Sequence, residues 1–176
     1  MLGRPRRPPP LPARAAPQHL TRWMECYLVQ HGEAKPEQED PARPLTDRGR
    51  REVERVARAA RRSGVGVAEI LHSGKLRAQQ TAELLAAALS PVGGVRAVAG
   101  LAPTDDPAAA RAVLDQAAAP AMLVGHLPHL SRLASLVLVG DPTREIVSFR
   151  MGAIVSLSRE GAGWRLKWML TPELVP

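Results

Sequence analysis

Three places in the 176-residue chain set imidazole or guanidinium groups just after a short apolar run. The first is Gln30-His31-Gly32-Glu33, the second His72-Ser73-Gly74-Lys75-Leu76-Arg77, and the third Gly125-His126-Leu127-Pro128-His129. Neutral imidazole is a nucleophile, and a reference pKa of about 6.5 keeps it available near neutral pH. A guanidinium presents a planar fork to two oxygens of an anion. A nucleophile surrounded by fixed positive groups is what phosphoryl transfer asks of a protein. A histidine taken alone beside a strand is more often structural, and His126-x-x-His129 is also half of a metal site. Zinc normally takes three or four protein ligands, and neither a cysteine nor a third histidine lies nearby in sequence. His129 therefore reads as a helix-start or surface residue, His72 as structural, and no metal or other cofactor is expected.

The elements that must position these groups alternate along the chain. Cys26–Val29 is a compact apolar run broken at Gly32, as a buried strand running into a loop would be. Residues 34–46 are polar and carry prolines, so they read as a loop. Thr46 is a plausible N-cap for a helix with Val53, Val56, Ala57 and Ala60 on one face, ending near Ser63-Gly64. Glu69–His72 is a second strand, Leu76–Leu89 a helix, Val95–Ala99 a third strand, Pro107–Ala118 a helix and Ala121–Val124 a fourth strand. A helix over 127–139 follows. Ile154–Ser158 and Trp164–Leu170 then close the chain as a hairpin. This alternation predicts an α/β fold with an open sheet covered on both faces. Ligands of such sheets sit at the carboxyl ends of the strands, which is where the two histidines and the arginine converge.

The net charge of +7 resembles a nucleic-acid signal, but its distribution does not. Residues 1–22 hold Arg4, Arg6, Arg7, Arg14 and Arg22 and no acid, whereas the remainder carries 19 basic against 17 acidic side chains. A balance of +2 over the domain is weak support for binding a phosphate backbone, so no nucleic-acid partner is expected. The seven arginines of residues 48–62 are interspersed with Asp47, Glu52 and Glu54 and read as a solvated helix face. Six prolines in residues 1–22, including the run Pro8-Pro9-Pro10-Leu11-Pro12, favour polyproline II, so this segment is expected to be a disordered tail. Met24 is an alternative first residue, which would make the tail a start-site extension. The domain is placed at 23–176. No run of 18 apolar residues exists, no secretory segment is visible, and a lone Cys26 leaves no internal disulfide. A cytoplasmic location without membrane partners is the expectation.

Taken together, the motifs resemble the histidine phosphatase (phosphoglycerate mutase-like) superfamily. YLVQHGEA is similar to its opening strand-to-loop signature, HSGKLRAQQTAELL to its S-x-x-x-R-A-x-x-T-A segment, and LVGHLPHL to its second-histidine motif. RPLTDRG and the small size resemble the SixA-type phosphohistidine phosphatase branch. The resemblance covers residues 24 to 172 or so and implies a three-layer α/β/α sandwich with a mostly parallel sheet. It implies that His31 attacks phosphorus and forms a phosphohistidine intermediate that water hydrolyses. It implies further that Arg77 clamps the phosphoryl oxygens and that His126 stabilises their charge. Neither step requires a metal.

The pattern departs from the family at Gln30, where the family has arginine. Glutamine supplies one neutral amide donor, and a charge-assisted hydrogen bond is roughly twice as strong. Arg43 is the leading substitute cation and Lys75 the second, so Gln30, Gly32 and Arg43 are the expected substrate-binding residues. Gly74 replaces the usual proline after Ser73 and is expected to free that loop. No carboxylate sits convincingly as a leaving-group acid; Asp105 and Asp106 lie in a Pro-flanked loop that leaves them free to face solvent. An imidazole leaving group carries its own proton, so this absence suits a phosphohistidine substrate. The expected activity is a phosphatase acting on a phosphorylated protein of the histidine-phosphotransfer type. The alternatives are a non-catalytic phosphohistidine-binding regulatory module, motivated by Gln30, and a phosphatase of a small phosphorylated metabolite.

Overall fold

The computed structural model describes residues 24–161 and 163–176; the reading of residues 1–22 as a disordered tail falls outside them. The elements follow in the order β1 (Met24–Gln30), α1 (Asp47–Arg62), β2 (Glu69–His72), α2 (Leu76–Leu89), β3 (Val95–Ala97), α3 (Pro107–Gln116), β4 (Ala121–Gly125), α4 (His129–Val139), β5 (Ile154–Glu160) and β6 (Gly163–Leu170), with a last 3₁₀ turn at Pro172–Leu174. They form one six-stranded sheet in the order β3-β2-β4-β1-β5-β6. The first four strands in that order are parallel and the closing hairpin is antiparallel. The sandwich is therefore α/β/α, as the alternation of periods requires.

Two apolar layers hold the sheet between its helices. One face carries Cys26, Leu28, Leu71 and Leu123 against Leu114 of α3 and Leu130, Leu133 and Ala134 of α4. The other carries Tyr27, Val29, Ile70, Met122 and Val124 against Val53, Val56 and Ala60 of α1 and Ala78, Ala82 and Leu85 of α2. Successive residues of β1 thus enter opposite layers, which is the two-residue period of a strand. Aromatic rings are scarce, and branched aliphatic side chains fill both layers.

The boundaries differ from the sequence expectation where tertiary pairing decides them. β1 begins at Met24 and reaches Gln30 because β5 and β4 pair with it along that length, Met24 with Arg159 and Gln30 with Gly125. β3 is only three residues long, matching the short β2 beside it. α4 begins at His129 rather than 127, with Pro128 at the N-cap. α1 starts as expected: Thr46 Oγ1 accepts from Gly49 N–H at 2.9 Å, a cap worth about 1 kcal/mol. Asp47 in its first turn and Arg61 and Arg62 in its last complement the helix dipole.

Candidate active site

The parallel register aligns the ends of three strands. Gln30 lies opposite Gly125, and His72 opposite Val124, so the residues that follow β1, β4 and β2 emerge side by side. His31 leaves β1 and His126 leaves β4, with ring centroids 4.9 Å apart. Arg77, on the first turn of α2, reaches the same point. Its Nε donates to His31 Nε2 at 3.2 Å. The three residues singled out by type and spacing in the sequence are thus brought together.

Both histidines are buried, His31 8% and His126 2% exposed. His31 Nδ1 lies 2.7 Å from the Gly32 carbonyl, and only an N–H there can satisfy that contact. The tautomer that results leaves the Nε2 lone pair facing Arg77. Burial first, and then the charges of Arg77 and Arg43, push the His31 pKa down to about 4, against the pull of the Gly32 carbonyl. At His126, Nε2 shares a 2.6 Å hydrogen bond with Ser73 Oγ. Burial, with His31, Arg77 and Lys75 nearby, lowers the pKa of His126 to about 3. Both rings are neutral near pH 7, which is the nucleophilic form.

Gln30 is buried and its Oε1 has no hydrogen-bond partner, while its backbone carbonyl accepts from Gly152 N–H at 2.9 Å. Arg43 is half-buried in a left-handed conformation, φ 51°, unusual for a residue with a Cβ. Its Nε donates to the Lys35 carbonyl at 3.3 Å, and its charge weighs on both His31 and Arg77. Lys75 is exposed at the start of α2 and acts electrostatically on His126.

Gly32 is needed for packing. A Cβ there would lie 2.8 Å from Val53 Cγ2 and 3.1 Å from the Gly49 carbonyl. Its N–H donates to Thr81 Oγ1 at 3.0 Å, and that hydroxyl donates to the Arg77 carbonyl at 2.7 Å. Thr81 therefore ties the loop after β1 to the helix that carries Arg77. Gly49 lets α1 approach the same loop, since a Cβ would fall 2.2 Å from the Glu33 carbonyl oxygen. Ser73, Thr81 and Gly49 are not among the site residues expected from the sequence. Their signal is nonetheless there, as the serine and threonine of HSGKLRAQQT and the glycine of RPLTDRG.

One expectation is corrected. His129 does begin a helix, but it is fully buried rather than on the surface, because the first turn of α4 turns it inward beside His126. Gly74 holds φ 81°, which glycine tolerates and other residues avoid, and donates its N–H to His72 Nδ1 at 3.1 Å. Of the loop carboxylates, Asp106 is exposed and caps α3 through Ala108 N–H, while Asp105 is half-buried and accepts from Ala102 N–H at 2.8 Å. Among the described residues no group of three His, Cys, Asp or Glu side chains could hold a metal, and no helix is long and apolar enough to cross a membrane.

Comparison with known proteins agrees with this geometry. Residues 26–102 match the histidine phosphatase superfamily (branch 1). An uncharacterized protein of Picosynechococcus sp. is 39% identical over 147 residues, covering 79% of this chain and 87% of that protein. Phosphohistidine phosphatase SixA of Escherichia coli is 27% identical over 154 residues, covering 85% and 94%. The structure of the protein histidine phosphatase SixA complexed with tungstate superposes with a TM-score of 0.75 at 25% identity, over 85% of this chain and 97% of that one. With the fold, the paired histidines and the arginine in place, the chain belongs to the histidine phosphatase superfamily.

Proposed function

We propose that this protein is a phosphatase that removes the phosphoryl group from a protein phosphohistidine through a covalent phosphohistidine on His31. Superfamily membership supports the phosphatase activity in its coarse form. The observation that carries the finer reading is the His31 ring, held by Gly32 with its Nε2 lone pair beside Arg77 and its ring 4.9 Å from His126.

The steps follow from these groups. The phosphoryl group enters between the two rings, and Arg77 transfers its donors from His31 Nε2 to two equatorial oxygens. His31 Nε2 attacks phosphorus in line with the leaving nitrogen. Its Nδ1–H, on the Gly32 carbonyl, stabilises the charge that the phosphorylated ring develops. His126 exchanges Ser73 for a phosphoryl oxygen as its Nε2 hydrogen-bond partner. The leaving imidazole departs without needing a dedicated carboxylic acid, and Asp105 and Asp106 are both engaged with backbone N–H groups. Water then attacks the phosphohistidine and restores His31. Arg43 supplies the second positive charge that Gln30 does not. The site lies at the carboxyl ends of β1, β4 and β2, and the short loops between elements suit a shallow site for a partner protein's surface.

The test is single-turnover incubation with a phosphorylated histidine-phosphotransfer domain, quenched in alkali so that enzyme-bound phosphohistidine survives. Transient label on the protein, lost in His31→Ala, is the expected result. Binding of the phosphorylated domain without turnover would instead favour a phosphohistidine-binding module, the reading that the neutral Gln30 amide supports.

A further inference from the structure

His126 and His129 lie three residues apart on one turn, closed by a 2.9 Å hydrogen bond from Leu130 N–H to the His126 carbonyl. His126 precedes the helix, which begins at His129, and the charge of His129 acts on the His126 ring. His129 is fully buried, and neither of its ring nitrogens has a hydrogen-bond partner. His126 Nδ1, also buried, has none either. Three ring nitrogens of one turn thus stand without partners, behind a residue whose fourth nitrogen points into the site. Buried polar atoms are rarely left without a partner, whether a protein group or an ordered water.

We propose that His129 is the positioning residue that sets the tautomer of His126, by donating an N–H to His126 Nδ1. The inference rests on the phosphatase reading for its catalytic consequence, but not for the tautomer itself. A neutral imidazole has one donor and one acceptor nitrogen. If His126 is to donate to a phosphoryl oxygen through Nε2, its Nδ1 must carry the lone pair, and a lone pair in an apolar interior needs a donor. His129 is the neighbouring buried group that can supply one, after a ring rotation or through one water, with the single proton of its own neutral ring turned toward Nδ1. Ser73 Oγ then accepts from His126 Nε2–H until a phosphoryl oxygen takes its place. An apolar side chain at position 129 would leave Nδ1 free to take the proton, and the Nε2 lone pair would repel the phosphoryl oxygens.

The charges around the pair are consistent with a neutral His129 donor. Burial dominates and lowers its pKa; Arg132 on α4 acts in the same sense, and Asp105 and Asp106, from the loop before α3, act against them. His126 itself is flanked by His31 from the end of β1 and by Lys75 and Arg77 at the start of α2.

The experiment reads the ring nitrogens of His126 by ¹⁵N NMR at pH 7 in the full chain, assigned by His126→Gln. The expected result is a protonated Nε2 and an unprotonated Nδ1 in the natural protein. His129→Leu should give a mixture that includes Nδ1–H, and His129→Gln, which keeps an amide donor, should restore the natural pattern. Single-turnover rates with the phosphorylated domain should follow, falling about 10- to 100-fold in His129→Leu at little change in KM, the range typical of losing an orienting partner, and recovering in His129→Gln. A protonated Nδ1 in the natural protein, or a tautomer indifferent to His129→Leu, overturns the proposal. If His129→Leu does not fold, the natural protein and His129→Gln decide alone, with Nδ1–H in either counting against it. Failure of turnover with the expected tautomer intact would strike the phosphatase reading and leave the tautomer lock standing.

Discussion

Arg77 Nε donates to His31 Nε2 at 3.2 Å, so the cation that would hold the phosphoryl group rests on the lone pair that would attack it. A guanidinium in that place keeps the ring neutral, orients its lone pair, and shields it until an anion arrives to take the donors. The same contact makes the nucleophile and its clamp mutually dependent. Arg77→Ala should therefore lower the rate of phosphoryl uptake by about 10²- to 10³-fold, the cost of one preorganised donor on a developing anion. Arg77→Lys, which keeps the charge but loses the planar fork, should recover only part of it. A rate for Arg77→Lys equal to the natural one would show that the charge alone suffices.

The two histidines should separate in a trapping experiment. His31→Ala removes the attacking nitrogen, so neither turnover nor labelled protein should be seen. His126→Ala removes charge stabilisation only and should slow turnover by about 10²- to 10³-fold while leaving some label on His31. Equal residual activity in the two variants would contradict the assigned roles.

Gln30 and Arg43 should trade places. If Arg43 already fills the family's missing charge, Arg43→Ala should cost more than Gln30→Ala, and Gln30→Arg should leave the rate flat or lower it, since a third guanidinium adds like charge beside Arg77. If Arg43 does not fill it, Gln30→Arg should raise the phosphoryl-transfer rate, by no more than about 1000-fold. Single-turnover rates of the three variants decide between these outcomes.

The pH dependence follows from burial. With the His31 pKa lowered to about 4, phosphoryl uptake should persist from pH 7 to about pH 5 and fall as pH crosses about 4, where a free imidazole would already fade below about 6.5. Stability has the same origin. The folded-state pKa values of His31 and His126 lie below their unfolded ones, so below about pH 6.5 the unfolded chain binds protons that the folded one refuses. The stability is fully present above that pH and is lost progressively toward pH 4 for His31 and pH 3 for His126. Urea unfolding between pH 7 and 4 should show this slope, and His31→Asn should flatten it.

Gly49→Ala should destabilise the fold by about 1–3 kcal/mol or more, because the new methyl would meet backbone atoms of Glu33 rather than a movable side chain. Since Glu33 follows the His31-Gly32 turn, activity should fall beyond what the lost stability explains. An unchanged melting temperature would mean that α1 can slide on the loop.

The alternation of strands and helices, the three-layer sandwich and the convergence of His31, Arg77 and His126 were legible in the sequence. Each rests on local periodicity or on a motif whose residues must stand at a strand end. Thr46 as the cap of α1 was legible for the same reason, since a cap is a contact across three residues. Tertiary structure alone decided that Thr81 links Gly32 to Arg77, that Gly49 seats α1 against Glu33, that Arg43 adopts a left-handed conformation within electrostatic reach of His31, and that His129 is buried beside His126. These contacts join residues whose positions depend on how the strands pair and how closely the helices press on the sheet. Hydropathy reads a histidine at the start of a helix as polar and sends it outward; only the packing of α4 against the sheet turns that position into the interior.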